Sequence, residues 1–521
     1  DSCLNDGKDA GLDLTGGWYD AGDNVKFNLP MAYSSMILAW SYINNPQAYA
    51  KSGQAKWMLH DIKWANDYFV KCNPDSNTYY YQVGDGGQDH GFWGAPECVE
   101  AHMERPSFKV DATSGNGGSC VAGEAAASLA VASIALKDSN PSKSAVYLQH
   151  AKTLFAMADK AQSDSGYKAA NGYYTSWSGF QDELALSAAW LYKATGEKDY
   201  LAKAEKYATK YGVDPWPICW DDVHLGALML LADITGKQSY YDTVEGSLAP
   251  WISLKGGNGV DFTSGGLGWC SQWGSVRYAN AAAFMAAVYS GLEGANPTKA
   301  AQAEKFAIQT VNYTLGSSGQ VYMCGYNDRS PVEPHHRAAH GTWYNSCEKE
   351  PHPSRHVLVG AIVGGPESAN DSAYKDDRTN YITNEVACDY NAGFTGACAF
   401  AYEKNGFGAV KDATAIETPD GKEYIVDKSA SANNGGVEMK VTIYNHTAWP
   451  ARVDKSLKLR LFLKIGDADA SKVKASSDYC QYPVSFSSLK SAGNGLYYVD
   501  VDMTGASVYP GGENKAKCEM Q

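Results

Sequence analysis

No run of about 18 apolar residues occurs in this 521-residue chain, which excludes a helix that spans a membrane. Basic residues are in deficit, with 44 Lys and Arg against 58 Asp and Glu for a net charge of −14. A nucleic-acid partner, which needs a cationic surface, is therefore excluded. The 12 cysteines include no CxxC pair, and no HExxH segment is present, so the spacings of a zinc site are missing. Phenylalanine is scarce among the aromatics, with 14 Phe against 35 Tyr and 14 Trp. Rings with a flat apolar face and a polar edge thus dominate, which suits partly apolar, hydroxyl-rich ligands. A secretory leader is absent and Asp1 is not a methionine, so the sequence reads as a processed or trimmed chain.

An even cysteine count predicts disulfides and an oxidising, extracellular setting. The sequons at Asn312, Asn370 and Asn445 agree with that setting. Cys388 and Cys398 are ten residues apart, too far to pair on one helix, so each pairs elsewhere or stays a small buried apolar residue.

Between about 30 and 405 the chain alternates helical segments with long Gly- and aromatic-rich loops. Helices are expected over 31–43, 54–71, 119–137, 144–161, 182–195, 199–211, 222–236, 277–293 and 299–315. Two stops with the same pattern, Ala194-Thr195-Gly196 and Ile234-Thr235-Gly236, each precede a fresh helix. Repeated helical hairpins imply a closed or solenoid array. The loops 73–118, 164–181, 212–221, 255–276 and 318–390 carry the unusual residues and would gather around one cleft. Beyond 405 the pattern turns to alternating strands at 437–444, 457–463 and 496–503, the signature of a separate β-sandwich. The expected division is a helical domain over 1–405, a packed linker over 406–430 and a sandwich over 431–521.

Four constellations carry chemistry. Gly16-Gly17-Trp18-Tyr19-Asp20-Ala21-Gly22-Asp23 sets two acids three residues apart in a loop that can bend sharply. Taken alone, these acids could equally bond local backbone as a capped turn. Asn384-Glu385 precedes a final helix that opens on Asp389, Tyr390 and Asn391. Pro334-His335-His336-Arg337, with His340 after it, suits hydrogen bonding to sugar hydroxyls. Trp177-Ser178-Gly179 with Asp182-Glu183, and the later Trp216-to-Asp222 segment, place acids that could be helix-dipole partners or an oxygen cage for a hard cation.

In this order the motifs resemble glycoside hydrolase family nine, inverting endoglucanases on an (α/α)6 barrel. The tail, through Tyr444-Asn445-His446-Thr447-Ala448-Trp449-Pro450, resembles a family-three carbohydrate-binding module. The resemblance implies an all-α (α/α)6 barrel followed by an antiparallel β-sandwich. It also implies that one of twelve helices is absent ahead of Asp1, and that the tail stops early with a sheet edge unpaired. By the same resemblance Asp23 would be the general base, Asp20 would help hold the water, and Glu385 would be the general acid. Inversion needs the two carboxyls roughly 6.5–9.5 Å apart. His90, Tyr174, His335, Arg337 and Tyr390 would contact substrate, and Trp216 and Trp273 would stack on glucose faces. Ser178, Gly179, Asp182, Glu183 and Asp221 would hold one structural calcium, with no organic cofactor. The implied partner is cellulose or another β-1,4-glucan, and the implied protein is a secreted monomer. The competing expectations are another helical-barrel glycanase or polysaccharide lyase, and a weakly active or non-catalytic glucan-binding fragment.

Overall fold

A computed structural model describes residues 2–410, 417–433, 435–512 and 515–520. Eleven long helices organise the first 405 residues. We number them α1 (Asn28–Asn44), α2 (Ala55–Cys72), α3 (Ser119–Ala135), α4 (Pro141–Ala161), α5 (Gln181–Thr195), α6 (Lys198–Ala208), α7 (His224–Thr235), α8 (Gln238–Ile252), α9 (Ser275–Ser290), α10 (Pro297–Thr314) and α11 (Cys388–Lys404). The odd-numbered helices are apolar nearly all round. α3, for example, buries Ser119 through Ser133 without a break, as only an interior helix can. The even-numbered ones bury one face: α2 buries Met58, Ile62, Ala65 and Phe69 at helical spacing. Six inner and five outer helices result among the described residues, with α3 against α1 and α5, α7 against α5, and α11 against α9 and α1.

Alternation between inner and outer positions has a functional consequence. Consecutive helices run in opposite directions, so every inner helix points the same way. The starts of all six inner helices therefore meet at one end, together with the long loops. A three-stranded antiparallel sheet lies there too, with Thr78–Val83 between Lys26–Phe27 and Ser107–Asp111. Among the described residues, an open groove of about 570 Å³ lies between α1, α2 and α11, lined by Leu38, Met58, Trp64, Cys388 and Thr395.

The tail forms two antiparallel sheets. One runs Tyr424–Asn433, Gly436–Asn445, Lys515–Met520, Ser477–Cys480, and the other gathers Lys458–Lys464, Ser485–Phe486 and Lys490–Gly493 around Leu496–Asp502. Two expectations change here. The strand at 424–433 pairs along its whole length with 436–445, so the sandwich starts inside the expected 406–430 linker. Residues 411–416 of that linker lie outside the described residues. The strand at 515–520 is paired on both sides, so the unpaired edge expected at the end of the tail is not found there.

The disulfide expectation changes as well. Cys480 is disulfide-bonded, but Cys72, Cys98, Cys120, Cys219, Cys270, Cys324, Cys347, Cys388 and Cys398 are not. Most of these thiols are buried in the helical domain, where they fill space as small apolar side chains.

The tail docks beside the loop end of the barrel. His446 stacks on Trp343 with centroids 3.9 Å apart, and Arg355 reaches from the helical domain to Asp420 at 2.9 Å. Beneath these contacts Phe92, Cys98 and Val99 pack with Ala451 and Tyr509.

Candidate active site

The Asp20 loop is shaped by glycine and pinned by buried charge. Gly16 and Gly17 take φ of 94° and 67°, which a side chain would resist. Asp6 binds both Lys26 (2.7 Å) and Arg105 (2.7 Å) out of solvent, and Arg105 also donates to the Asn24 carbonyl at 2.8 Å. Gly22 is required for a different reason. A Cβ there would come within 2.1 Å of the His335 carbonyl oxygen. That contact lets the Arg337 N–H donate to the Gly22 carbonyl at 3.1 Å.

The His335 loop in turn holds Glu385. His335 N–H donates to the Asn384 carbonyl at 2.8 Å, and residues 335 and 385 form a parallel bridge. Cys388 N–H, at the start of α11, donates to the Asp20 carbonyl at 3.0 Å. Backbone hydrogen bonds thus tie the Asp20 loop to two segments more than 300 residues further along the chain, and those two to each other. The result brings Asp20, Asp23 and Glu385 close enough for their charges to act on one another.

Burial sets the electrostatics. Tyr174 donates its hydroxyl to Asp20 Oδ2 at 2.5 Å, while Oδ1 has no partner. Burial, reinforced by the charge of Asp23, raises the Asp20 carboxyl well above its ordinary range. Asp23 is 6% exposed and accepts the Ala21 N–H on Oδ1 at 3.1 Å. Glu385 is half-buried and accepts the Trp273 indole N–H at 3.0 Å. Burial pushes its carboxyl up to about 7, and the nearby Asp23 and Asp389 add to that rise. A proton donor that keeps its proton near neutrality is the outcome. His335 moves the other way, to about 4, because burial disfavours its imidazolium.

The remaining expected contacts fall into two groups. His90, Tyr174, His335, Trp216 and Trp273 are half-buried or exposed around the cleft, with Trp273 43% exposed. Trp216 packs on Tyr278, and Trp273 leans on Tyr381. Tyr390 and Arg337, also expected as substrate contacts, are largely buried. Tyr390 is 2% exposed under the Arg277 guanidinium, and Arg337 is 4% exposed, with Nε donating to the Phe92 carbonyl at 2.8 Å and Trp93 beneath it. Both lie within the wall of the cleft.

The oxygen cluster lies at the start of α5. Ser178 Oγ is 3.3 Å from Asp182 Oδ1 and 2.5 Å from the Asp221 carbonyl, and Gly179 offers its carbonyl beside them. Asp182 and Glu183 are fully buried, and neither carboxylate oxygen of Glu183 has a partner. Burial raises both of these acids and takes Asp221 to about 6. An all-oxygen donor set with orphaned buried carboxylates fits a hard cation such as calcium.

Sequence reasoning passed over Asp89, Arg277 and Glu124. Asp89 packs against Asp23, and burial with that neighbour raises its carboxyl to about 6. Its signal was its place directly before His90. Arg277 holds Asp389 at 2.9 Å behind Glu385. Glu124 is fully buried on α3, near Asp182, with both oxygens unpartnered. An Arg or a Glu inside an alanine-rich helix gives no local sign of such a partner.

Residues 1–398 match the family model for glycosyl hydrolase family 9, and residues 423–521 match that for a cellulose binding domain. The chain belongs to glycosyl hydrolase family 9. Its fold is the (α/α)6 barrel of that family joined to a β-sandwich binding module. Over its full length it is 42% identical to endoglucanase B of Cellulomonas fimi and 39% identical to endoglucanase A of Bacillus pumilus. It spans 50% of the first relative and 81% of the second. The crystal structure of endoglucanase CelQ from Clostridium thermocellum, complexed with cellobiose and cellotriose, superposes with a TM-score of 0.90 at 37% identity, covering 100% of this chain and 86% of that one.

Proposed function

We propose that this family 9 chain hydrolyses internal β-1,4-glucosidic bonds of cellulose and related glucans by single displacement, with inversion at the anomeric carbon. The chain is an endo-β-1,4-glucanase. The observation that carries the mechanism is the pairing of Glu385, whose carboxyl is raised to about 7, with the Asp20–Asp23 pair across one cleft. Glu385 gives its proton to the leaving glycosidic oxygen. Asp23 takes a proton from the water that attacks the opposite face of the sugar. Asp20, whose carboxyl burial raises above its ordinary range and whose Oδ2 accepts from Tyr174, orients that water. Trp273 has two tasks, stacking on a glucose face and donating to Glu385.

Calcium at Ser178, Gly179, Asp182, Glu183 and Asp221 would neutralise the buried acids that begin α5 and hold the 176–182 loop to the 221–223 segment. A monomer suffices, because every proposed group comes from one chain. Secretion follows from the substrate, since insoluble cellulose cannot enter a cell; among the described residues no helix is long and apolar enough to cross a membrane. The binding module, in contact through Trp343 and Arg355, would feed a glucan chain toward the cleft.

The test is product stereochemistry. A β-cellooligosaccharide followed by proton NMR should yield the α-anomer first at the newly formed reducing end. Initial β product would overturn inversion, and absence of reducing-sugar release from carboxymethylcellulose would overturn the enzyme reading.

A further inference from the structure

Beside the proposed base a second acid and an imidazole converge. One carboxylate oxygen of Asp23, one of Asp89 and one ring nitrogen of His90 all lie within 4.8 Å of one another. Asp89 is 1% exposed and Asp23 6%. Each carboxylate has one oxygen satisfied by backbone: Asp89 Oδ1 accepts the Asn24 N–H at 3.1 Å, and Asp23 Oδ1 accepts the Ala21 N–H at 3.1 Å. The other oxygen of each, Oδ2 in both cases, is buried and has no hydrogen-bond partner. Two neighbouring buried carboxylates, each with an orphaned oxygen, are costly unless a positive species lies between them.

The imidazole is prepared for such a species. His90 closes the short helix Gly86–His90, whose start is capped by Asp85 accepting the Gln88 N–H at 2.9 Å. Its Nδ1 meets the Gly86 carbonyl at 2.8 Å, so Nδ1 carries the proton and Nε2 keeps the lone pair. A metal-binding histidine is oriented in this manner by a carbonyl behind it. His90 is exposed, so an ion has a path from solvent. The Arg337 guanidinium is close enough to lower the Asp89 carboxyl, and its Nε is engaged by the Phe92 carbonyl.

We propose that Asp23, Asp89 and His90 form a binding site for a first-row divalent transition cation, of the Mn²⁺, Co²⁺ or Zn²⁺ kind, and that its occupancy blocks the attacking water. One imidazole with two carboxylates suits these ions better than calcium, which wants six to eight oxygens. The site is distinct from the oxygen cluster at Ser178 and Asp182. The blocking half rests on the assignment of Asp23 as base; the binding half does not.

Mn²⁺ is the probe, because it has little affinity for the chain's thiols. The full chain is titrated with Mn²⁺ in a calcium-containing buffer, with bound ion read by EPR and by water-proton relaxation. The expected result is one Mn²⁺ per chain and competitive inhibition of cellopentaose hydrolysis over the same concentration range. Asp89→Asn should weaken Mn²⁺ binding at least about tenfold. His90→Gln, which removes the imidazole nitrogen, should do the same, while Asp182→Asn should leave it unchanged. Wild-type Mn²⁺ affinity in both Asp89→Asn and His90→Gln would overturn the site, as would full displacement of Mn²⁺ by calcium. Binding that depends on Asp89 and His90 but causes no inhibition would uphold the site and overturn the blocking half, while Asp23 as base is overturned separately if Asp23→Ala keeps its activity on cellopentaose.

Discussion

Replacing Trp273 by phenylalanine should carry the alkaline limb of the pH profile upward. The indole N–H donates to Glu385 Oε2 at 3.0 Å, and a donor in that place favours the carboxylate over the acid. It opposes the burial that raises Glu385 to about 7. Phenylalanine keeps a flat ring but has no donor. A hydrogen bond to a charged group contributes about 1.5–3 kcal/mol. Because Trp273 is 43% exposed, water replaces part of it and the lower end applies. At about 1.36 kcal/mol per pKa unit, the carboxyl rises by about one further unit. Glu385 acts as the protonated acid, so activity is lost as pH rises through its pKa. The limb should therefore move from about 7 in the parent to about 8 in Trp273→Phe. The assay is kcat/KM for cellopentaose between about pH 5 and about pH 9. A dinitrophenyl cellotrioside run in parallel needs no protonated acid and should show no such limb. A limb that stays put or moves to lower pH would refute the reasoning. So would the same limb on the activated substrate.

Gly22→Ala should lower Tm by an amount corresponding to about 1–3 kcal/mol and cut kcat at least about tenfold, because its Cβ would meet the His335 carbonyl and push the Asp23 and Glu385 walls apart; unchanged calorimetry and kinetics would contradict the close-approach argument. Calcium at about 100 times its Kd should stabilise the fold by about 2.7 kcal/mol. A chelator should therefore lower the parent's Tm, and Asp182→Asn should lose most of that response. Trp343→Ala removes the stack on His446 and should separate the melting of the tail from that of the barrel in calorimetry, at a cost of about 0.5–1.5 kcal/mol; a single unaltered transition would show that the stack contributes nothing to docking.

Much of the architecture is written locally. α3 is legible because small and apolar residues, alanine above all, fill most of it, and the stops at Gly196 and Gly236 are legible because both glycines take the left-handed conformation that ends a helix. Where periodicity was weaker the bounds drifted, as at α6, which ends at Ala208, and at the linker, whose last residues are already strand. Tyr390 and Arg337 show a different limit. Their types suit sugar contact, and side-chain identity gave no sign that they would be as buried as 2% and 4% exposure.

By itself, then, the sequence determined the alternation of helical hairpins and loops, the switch to strands somewhere beyond 405, and which segments bear acids beside aromatic rings. Those properties reside in short windows, where propensity and periodicity act. Tertiary structure alone decided which acids meet. Asp20 is joined to the start of α11, and His335 to Asn384, by backbone hydrogen bonds between distant segments. It also decided what each acid does, because pKa depends on burial and neighbours rather than on residue type. Glu385 is raised to about 7 by its enclosure, Asp20 by Asp23 and the barrel interior, and Asp89 became part of the site only when the 86–90 turn was laid against the Asp23 loop.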